Sequence, residues 1–97
     1  MRWKFTSRAR LDLRRIAFRI DADNPRASEQ WIAKVRDRAR LAGRSPKLGR
    51  KVPELDREDV REAIIGNYRM VYLVRARTVE IVRVFEGHRL LPDLDEP

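Results

Sequence analysis

Three arginines in the C-terminal half of the chain, Arg61, Arg69 and Arg89, together with the single histidine, His88, are the side chains best suited to chemistry. A guanidinium is a planar, permanently charged fork that pairs well with phosphate or carboxylate oxygens. Adjacent β-strands lie about 4.8 Å apart, so arginines on neighbouring strands can converge on one phosphate. Arg61, Arg69 and Arg89 fall on or just beyond three successive strand-like segments, and that convergence is the expectation. His88 is the one residue here of the type whose ordinary pKa lies near neutrality. Each has a plainer alternative. His88 beside Gly87 suits an exposed strand exit, and Arg69 can pair across a sheet with Glu62 or Glu80, a surface contact worth about 0.2–1 kcal/mol. The chain contains no cysteine, which removes disulfides, thiolate metal sites and thiol nucleophiles together. No metal, cofactor or small-molecule ligand is expected.

The chain of 97 residues carries a net charge of +8. Residues 1–50 hold 15 Lys+Arg against 5 Asp+Glu, whereas residues 51–97 hold 8 against 10. A basic excess of this kind favours an acidic partner, either nucleic acid or an acidic protein segment. The opening Met1-Arg2-Trp3-Lys4-Phe5 lacks the apolar run of a signal peptide. No stretch approaches the roughly 20 apolar residues that span a bilayer. A cytoplasmic location with no membrane contact is therefore expected. The length suits one domain over residues 1–97, since two would each lack a sufficient core.

The elements that must position these residues follow from periodicity. Trp3 to Phe5 alternate and stop at Thr6-Ser7, a short strand running into a helix that Ser7 is expected to cap. Ala9, Leu13, Ile16, Ala17 and Ile20 then recur at three- and four-residue spacing and form one apolar stripe. Leu11 and Phe18, seven apart, lie off the centre of that stripe and either widen it or mark a contact surface. Asp21-Ala22-Asp23-Asn24-Pro25 interrupts the helix, and Asn24-Pro25 reads as the cap and first turn of a second one. That helix buries Trp31, Ile32 and Val35 and is expected to close at Gly43 in a left-handed conformation. Residues 44–59 hold Pro46, Gly49 and Pro53 without a period and read as an irregular connection.

Residues 61–65, 68–75 and 78–85 are rich in β-branched and aromatic side chains and are joined at Gly66-Asn67 and Ala76-Arg77, an antiparallel meander. Tyr68, Met70, Tyr72 and Val74 share one face, on which the tyrosines read as core. Arg69, Val71, Leu73 and Arg75 share the other, an apolar centre edged with arginine that suits a partner. The expected fold is α+β, in the order β-α-α-β-β-β, with the helical hairpin on one face of a mainly antiparallel four-stranded sheet.

That order, with specific residues, resembles the RelE/ParE toxin superfamily over nearly the whole chain. The resemblance is carried by Ser7-x-Ala9 followed by Asp12-Leu13 and Ile16, by Asn24-Pro25, and by Leu41-x-x-x-x-Pro46 leading to Gly49-Arg50-x-Val52-Pro53-Glu54. It continues through Val60-Arg61-Glu62 and Gly66-x-Tyr68-Arg69-Met70-Val71-Tyr72. It closes with Ile81-Val82-x-Val84-Phe85-x-Gly87-x-Arg89. The resemblance implies the toxin half of a type II toxin-antitoxin pair, neutralised by a cognate antitoxin, most simply a ParE-like protein that arrests growth by binding DNA gyrase without catalysis. Arg50, Arg61, Arg69, Arg83, Arg89, Leu11 and Phe18 are then the candidate target- or antitoxin-binding residues.

The alternative within the superfamily is a RelE-like endonuclease acting on messenger RNA at the ribosome. It needs a base for the 2′-hydroxyl proton, a cation on the phosphate and a donor for the leaving oxygen. Arg61, Arg69, His88 and Arg89 are the candidates for those roles. The chain departs from that branch in carrying Glu86 where members often have histidine, and in having no tyrosine in residues 90–97. A rival from another class is a non-toxic basic nucleic-acid-binding module, for which no helix-turn-helix or zinc pattern speaks.

Overall fold

Strand β1 (Arg2–Phe5) places Trp3 and Phe5 on one face, their rings edge to face at 5.6 Å. These coordinates are a computed structural model that describes residues 1–94; the last three residues of the tail read above lie outside the described residues. Helix α1 (Ser7–Asp23) is capped by Thr6, whose side chain accepts from the Ala9 N–H at 3.1 Å. The expected cap, Ser7, is already helical. The cap falls one residue earlier because Thr6 is still extended, its N–H bonded to the Ile81 carbonyl at 3.0 Å beyond the last residue of β1. Asn24 alone separates the helices. Its N–H donates to the Ile20 carbonyl and its side chain accepts from the Arg26 N–H, so one residue closes α1 and opens α2 (Pro25–Arg44).

Gly43 does not form the expected left-handed stop; the last turn closes one step later, with Ser45 N–H donating to Leu41. Its small size serves another end. The N-terminal ammonium donates to the Gly43 carbonyl at 2.9 Å, and a Cβ there would lie 2.9 Å from the Met1 carbonyl oxygen and 3.1 Å from the Trp3 ring.

The sheet has five strands in the order β1-β5-β4-β3-β2. Four were expected. The additional edge strand, β2 (Arg50–Lys51), pairs antiparallel with β3 (Val60–Ile65) inside the segment read as irregular. Two residues are too short to show a period; tertiary contacts hold them instead. After a single 3-10 turn at Pro46–Leu48, the Tyr72 hydroxyl donates to the Pro46 carbonyl at 2.8 Å and accepts from the Gly49 N–H at 3.1 Å. A Cβ on Gly49 would collide with that hydroxyl and sit 2.6 Å from the Glu62 carbonyl oxygen, so only glycine permits the approach.

β4 (Tyr68–Val74) joins β3 through Gly66-Asn67, with positive φ at Gly66 only, the pattern of a type II′ hairpin. β4 also pairs antiparallel with β5 (Thr78–Glu86), which runs parallel to β1. The register skips Val82, a bulge that shifts the inward set of β5 from Val79 and Ile81 to Val84.

Each face of the sheet carries its own core. Ile16, Trp31 and Val35 pack on Met70, Tyr72, Ile81 and Val84 beneath the helices. On the opposite face Val60, Val71, Leu73, Val82 and Phe85 are covered by Val52 from the loop and Leu94 from the tail, with Leu91 packed alongside. This corrects the expectation of an open apolar patch. The chain seals that patch itself, because a cluster of β-branched and aromatic side chains left bare would forfeit on the order of 25 cal/mol per Å2.

Two outcomes follow. Leu94→Ala should lower the unfolding free energy by about 1.5–3 kcal/mol in urea titration, since it uncovers this second core. Gly49→Ala should cost about 1–3 kcal/mol through overpacking against Tyr72, whereas full stability in that variant would mean the 46–50 loop is not held where described.

Candidate binding surfaces

Glu62, on β3, lies on the face away from the helices, and its side chain is fully buried. An isolated buried carboxylate is costly. Here one oxygen takes the Arg50 Nε at 2.6 Å and the other the Arg69 Nε at 2.7 Å. Arg69 continues the network: its two Nη atoms reach both oxygens of Glu54 at 2.9 and 2.7 Å, and its guanidinium carbon stands 5.0 Å over the Phe85 ring. Glu54 in turn accepts from the Leu91 N–H at 3.1 Å, which ties the tail to the sheet. The Arg69 hydrogen bonds hold the Glu54 carboxyl well down, at about 2. Of the two anticipated partners for Arg69, Glu62 is the one found. Glu80 pairs instead with Arg75 at 3.0 Å and Lys4 at 3.4 Å.

Arg61, Arg69 and Arg89 do not converge. Arg61 stands opposite Tyr72 on the helix-facing side, whereas Arg69 stands opposite Ile64 and Phe85 on the other. The expectation counted strands and not faces; residues 61 and 69 lie on opposite pleats because of the register set by the Gly66-Asn67 turn. Arg61 bonds Glu58 at 2.7 Å and the Gly49 carbonyl at 3.0 Å, pinning the loop. Arg89 and His88 are exposed, and both approach Glu86, at 3.6 and 3.5 Å. Arg50, Glu54, Tyr68, Arg69, Glu86 and His88 line a cleft of about 570 Å3, so Arg69 and His88 do share a concavity, which the carboxylates of Glu54 and Glu86 also line.

Arg83 is buried. It grips Asp12 of α1 with Nε at 2.8 Å and Nη2 at 3.2 Å, and donates to the Asp93 carbonyl at 2.7 Å. Asp12 also accepts from the Val84 N–H at 3.0 Å, which β1 is too short to reach. Sequence reasoning missed this bolt between helix and sheet. Its signal was an acid at an inward position of the α1 stripe, between Ala9 and Ile16.

Leu11 is half-buried, and Phe18 is 79% exposed. Phe18 lies in a hollow with Arg14, Arg15, Arg19 and Arg89. A second hollow, of about 550 Å3, has Trp3, Phe5, Leu13, Ala17 and Ile32 as its apolar lining and basic side chains at its rim. The sequence reading assigned these apolar residues to strand and stripe separately; only the packing of β1, α1 and α2 turns them into a groove. Among the described residues no group of three or more His, Asp or Glu side chains could hold a metal ion, and no helix is long and apolar enough to cross a membrane.

The buried pairs make definite demands. Arg83→Met should cost about 3–5 kcal/mol, because it strands Asp12 in the interior, while His88→Ala should leave stability unchanged. Glu54 has a depressed folded pKa, so its contribution is fully present above its ordinary value near 4.5 and is lost as pH falls toward about 2. Glu54→Gln should flatten that limb of the stability profile, and an unaltered limb would contradict the pairing.

Comparison with known proteins fits this architecture. A solved structure described as the chromosomal ParDE TA system from P. aeruginosa superposes with a TM-score of 0.72 at 17% identity, over 89% of this chain and 95% of that one. No curated protein matches the chain by sequence. Residues 3–91 match the family described as the ParE toxin of type II toxin-antitoxin system, parDE. With nearly its whole length inside that match, this chain belongs to the ParE toxin family.

Proposed function

We propose that this toxin acts in the cytoplasm by binding and inhibiting DNA gyrase, without catalysis of its own, and that a cognate antitoxin silences it. The observation that carries the choice between binding and cleavage is the state of Arg69. A nuclease needs its cation directed at a phosphate, but the Arg69 guanidinium is taken up by Glu62 and Glu54, and Arg61 lies on the opposite face bonded to Glu58 and Gly49. Bringing Arg69 to a substrate would strip one oxygen of the buried Glu62 and both oxygens of Glu54 of their guanidinium, and bringing Arg61 would release Glu58 and the loop at Gly49.

The antitoxin reading draws on the groove of Trp3, Phe5, Leu13, Ala17 and Ile32. Its apolar floor accepts the apolar face of a helical or extended segment, and Lys4, Arg10, Arg14 and Arg36 around it accept acidic side chains. An acidic amphipathic segment, ordered on binding, matches both features.

Purified toxin should inhibit supercoiling by gyrase and leave ribosome-bound messenger RNA intact; codon-dependent cleavage abolished by His88→Ala or Arg69→Ala would move the assignment to the nuclease branch. Expression alone should arrest growth, and co-expression of the antitoxin should relieve it. Ile32→Glu places a charge in the groove and should weaken that relief tenfold or more, with gyrase inhibition retained. Relief at full strength in that variant would place the antitoxin elsewhere.

A further inference from the structure

The outward side of α1 carries an aromatic ring where a surface helix ordinarily shows polar side chains. At 3.6 residues per turn, Phe18 falls opposite the inward set of Ala9, Ile16 and Ile20, and it is 79% exposed. Leu11, two turns earlier on the same side, is half-buried. Among the described residues, Phe18 is the one large apolar side chain of the two helices that stays exposed. Arg14, Arg15, Arg19 and Arg89 surround its ring in a hollow of about 530 Å3, and no described acid lines it. Glu86 answers two of the four, bonding Arg19 at 2.9 Å and standing 3.6 Å from Arg89. Arg14 and Arg15 are exposed and make no ion pair among the described residues.

We infer that this face of α1 is where the toxin docks on its target, and that the target meets it with an acidic protein segment that lays an apolar side chain on Phe18. The inference rests on the reading of the protein as a toxin that acts by binding, and it names the surface that does so. The composition is that of an interface. Aromatic rings and arginines concentrate binding energy and lysines do not, and the hollow holds one phenylalanine and four arginines without a lysine. Charge then selects the partner. A second copy of this chain, laid α1 against α1, would press like-charged clusters together. A nucleic acid is poorly matched, because Arg14, Arg15 and Arg19 lie within about 8 Å of helix axis, too short for a track of phosphates. The antitoxin already has an apolar floor of its own in the groove on the other side of Arg14. Arg14 lines both hollows, so an antitoxin acid that takes Arg14 removes part of the target's site. The two partners then compete without sharing a floor.

The test is binding to purified gyrase, measured by biolayer interferometry in the absence of DNA, together with supercoiling inhibition and growth arrest on expression. The full chain should bind gyrase directly, and more weakly as salt rises, since the charges around Phe18 are exposed. Phe18→Ala should raise both the Kd and the concentration for half-inhibition about tenfold or more. Arg15→Ala should raise them several-fold, and Arg15→Glu should raise them further because it sets an acid against an acid. Arg77→Ala, at an exposed position between β4 and β5, should leave them unchanged. All three positions are exposed, so unchanged circular dichroism should confirm that each variant is folded. Growth arrest should weaken in the same order. The inference is overturned by Phe18→Ala or Arg15→Glu arresting growth at full strength, by Arg77→Ala matching Arg15→Ala, or by Arg15→Glu binding as well as Arg15→Ala. Binding seen only on gyrase loaded with DNA would assign the arginines to phosphate and overturn it as well. If the unaltered chain leaves gyrase untouched while Phe18→Ala still abolishes growth arrest, only the gyrase reading falls. If Phe18→Ala and Arg15→Glu both inhibit gyrase like the unaltered chain, only this inference does.

Discussion

A single buried carboxylate organises the face of the sheet opposite the helices. Glu62 has no exposed side-chain surface, and its charge is tolerable there because Arg50 and Arg69 close on its two oxygens at 2.6 and 2.7 Å. Such a pair gains little over an apolar equivalent, but removing one partner is severe. Around it the chain has arranged a connected set: Arg69 recruits Glu54, Glu54 holds the Leu91 N–H, and the tail thereby lies across Val71, Leu73 and Val82 with Leu94 as its plug. The polar network and the second core are one device, since each fixes the residues that the other needs.

This arrangement changes what the arginines mean. A chain with so many guanidiniums invites the idea that those on the sheet hold a phosphate. Arg61, Arg69 and Arg83 are instead bonded to Glu58, to Glu62 and Glu54, and to Asp12, and they locate a loop, the tail and helix α1. The cations that remain exposed lie mainly on the helical hairpin, where the excess of positive charge in the first fifty residues is also found. Exposed basic character therefore resides mainly on the helices, and structural rigidity on the sheet. That division fits a protein that inhibits by occupying a surface better than one that positions a reacting phosphate.

Much of this was legible in the sequence. The three- and four-residue spacing of Ala9, Leu13 and Ile16, the Asn24-Pro25 junction and the β-branched meander specify the α+β order and the helix-bearing face directly, because each depends on local periodicity or local backbone preference. Features decided by distant contacts were not. Thr6 displaces Ser7 as the cap because β5 keeps Thr6 extended, and Gly43 answers to Trp3 and Met1 and not to helix termination. Strand β2 exists because Tyr72 and Arg61 hold Gly49. The tail had no period to reveal that Leu94 would cover the sheet. The convergence of Arg61 with Arg69 failed on one count of parity across a two-residue turn, a quantity that composition does not carry.

Arg69 serves the fold through Glu62, and a double-mutant cycle in urea measures this directly. With Arg69→Met, Glu62→Met and the double variant, each single change should be strongly destabilising and the pair together should cost far less than their sum, a coupling of about 2–3 kcal/mol. Losses that simply add, with Arg69→Met leaving the protein as stable as before, would contradict it and return that guanidinium to the list of residues free to act on a partner.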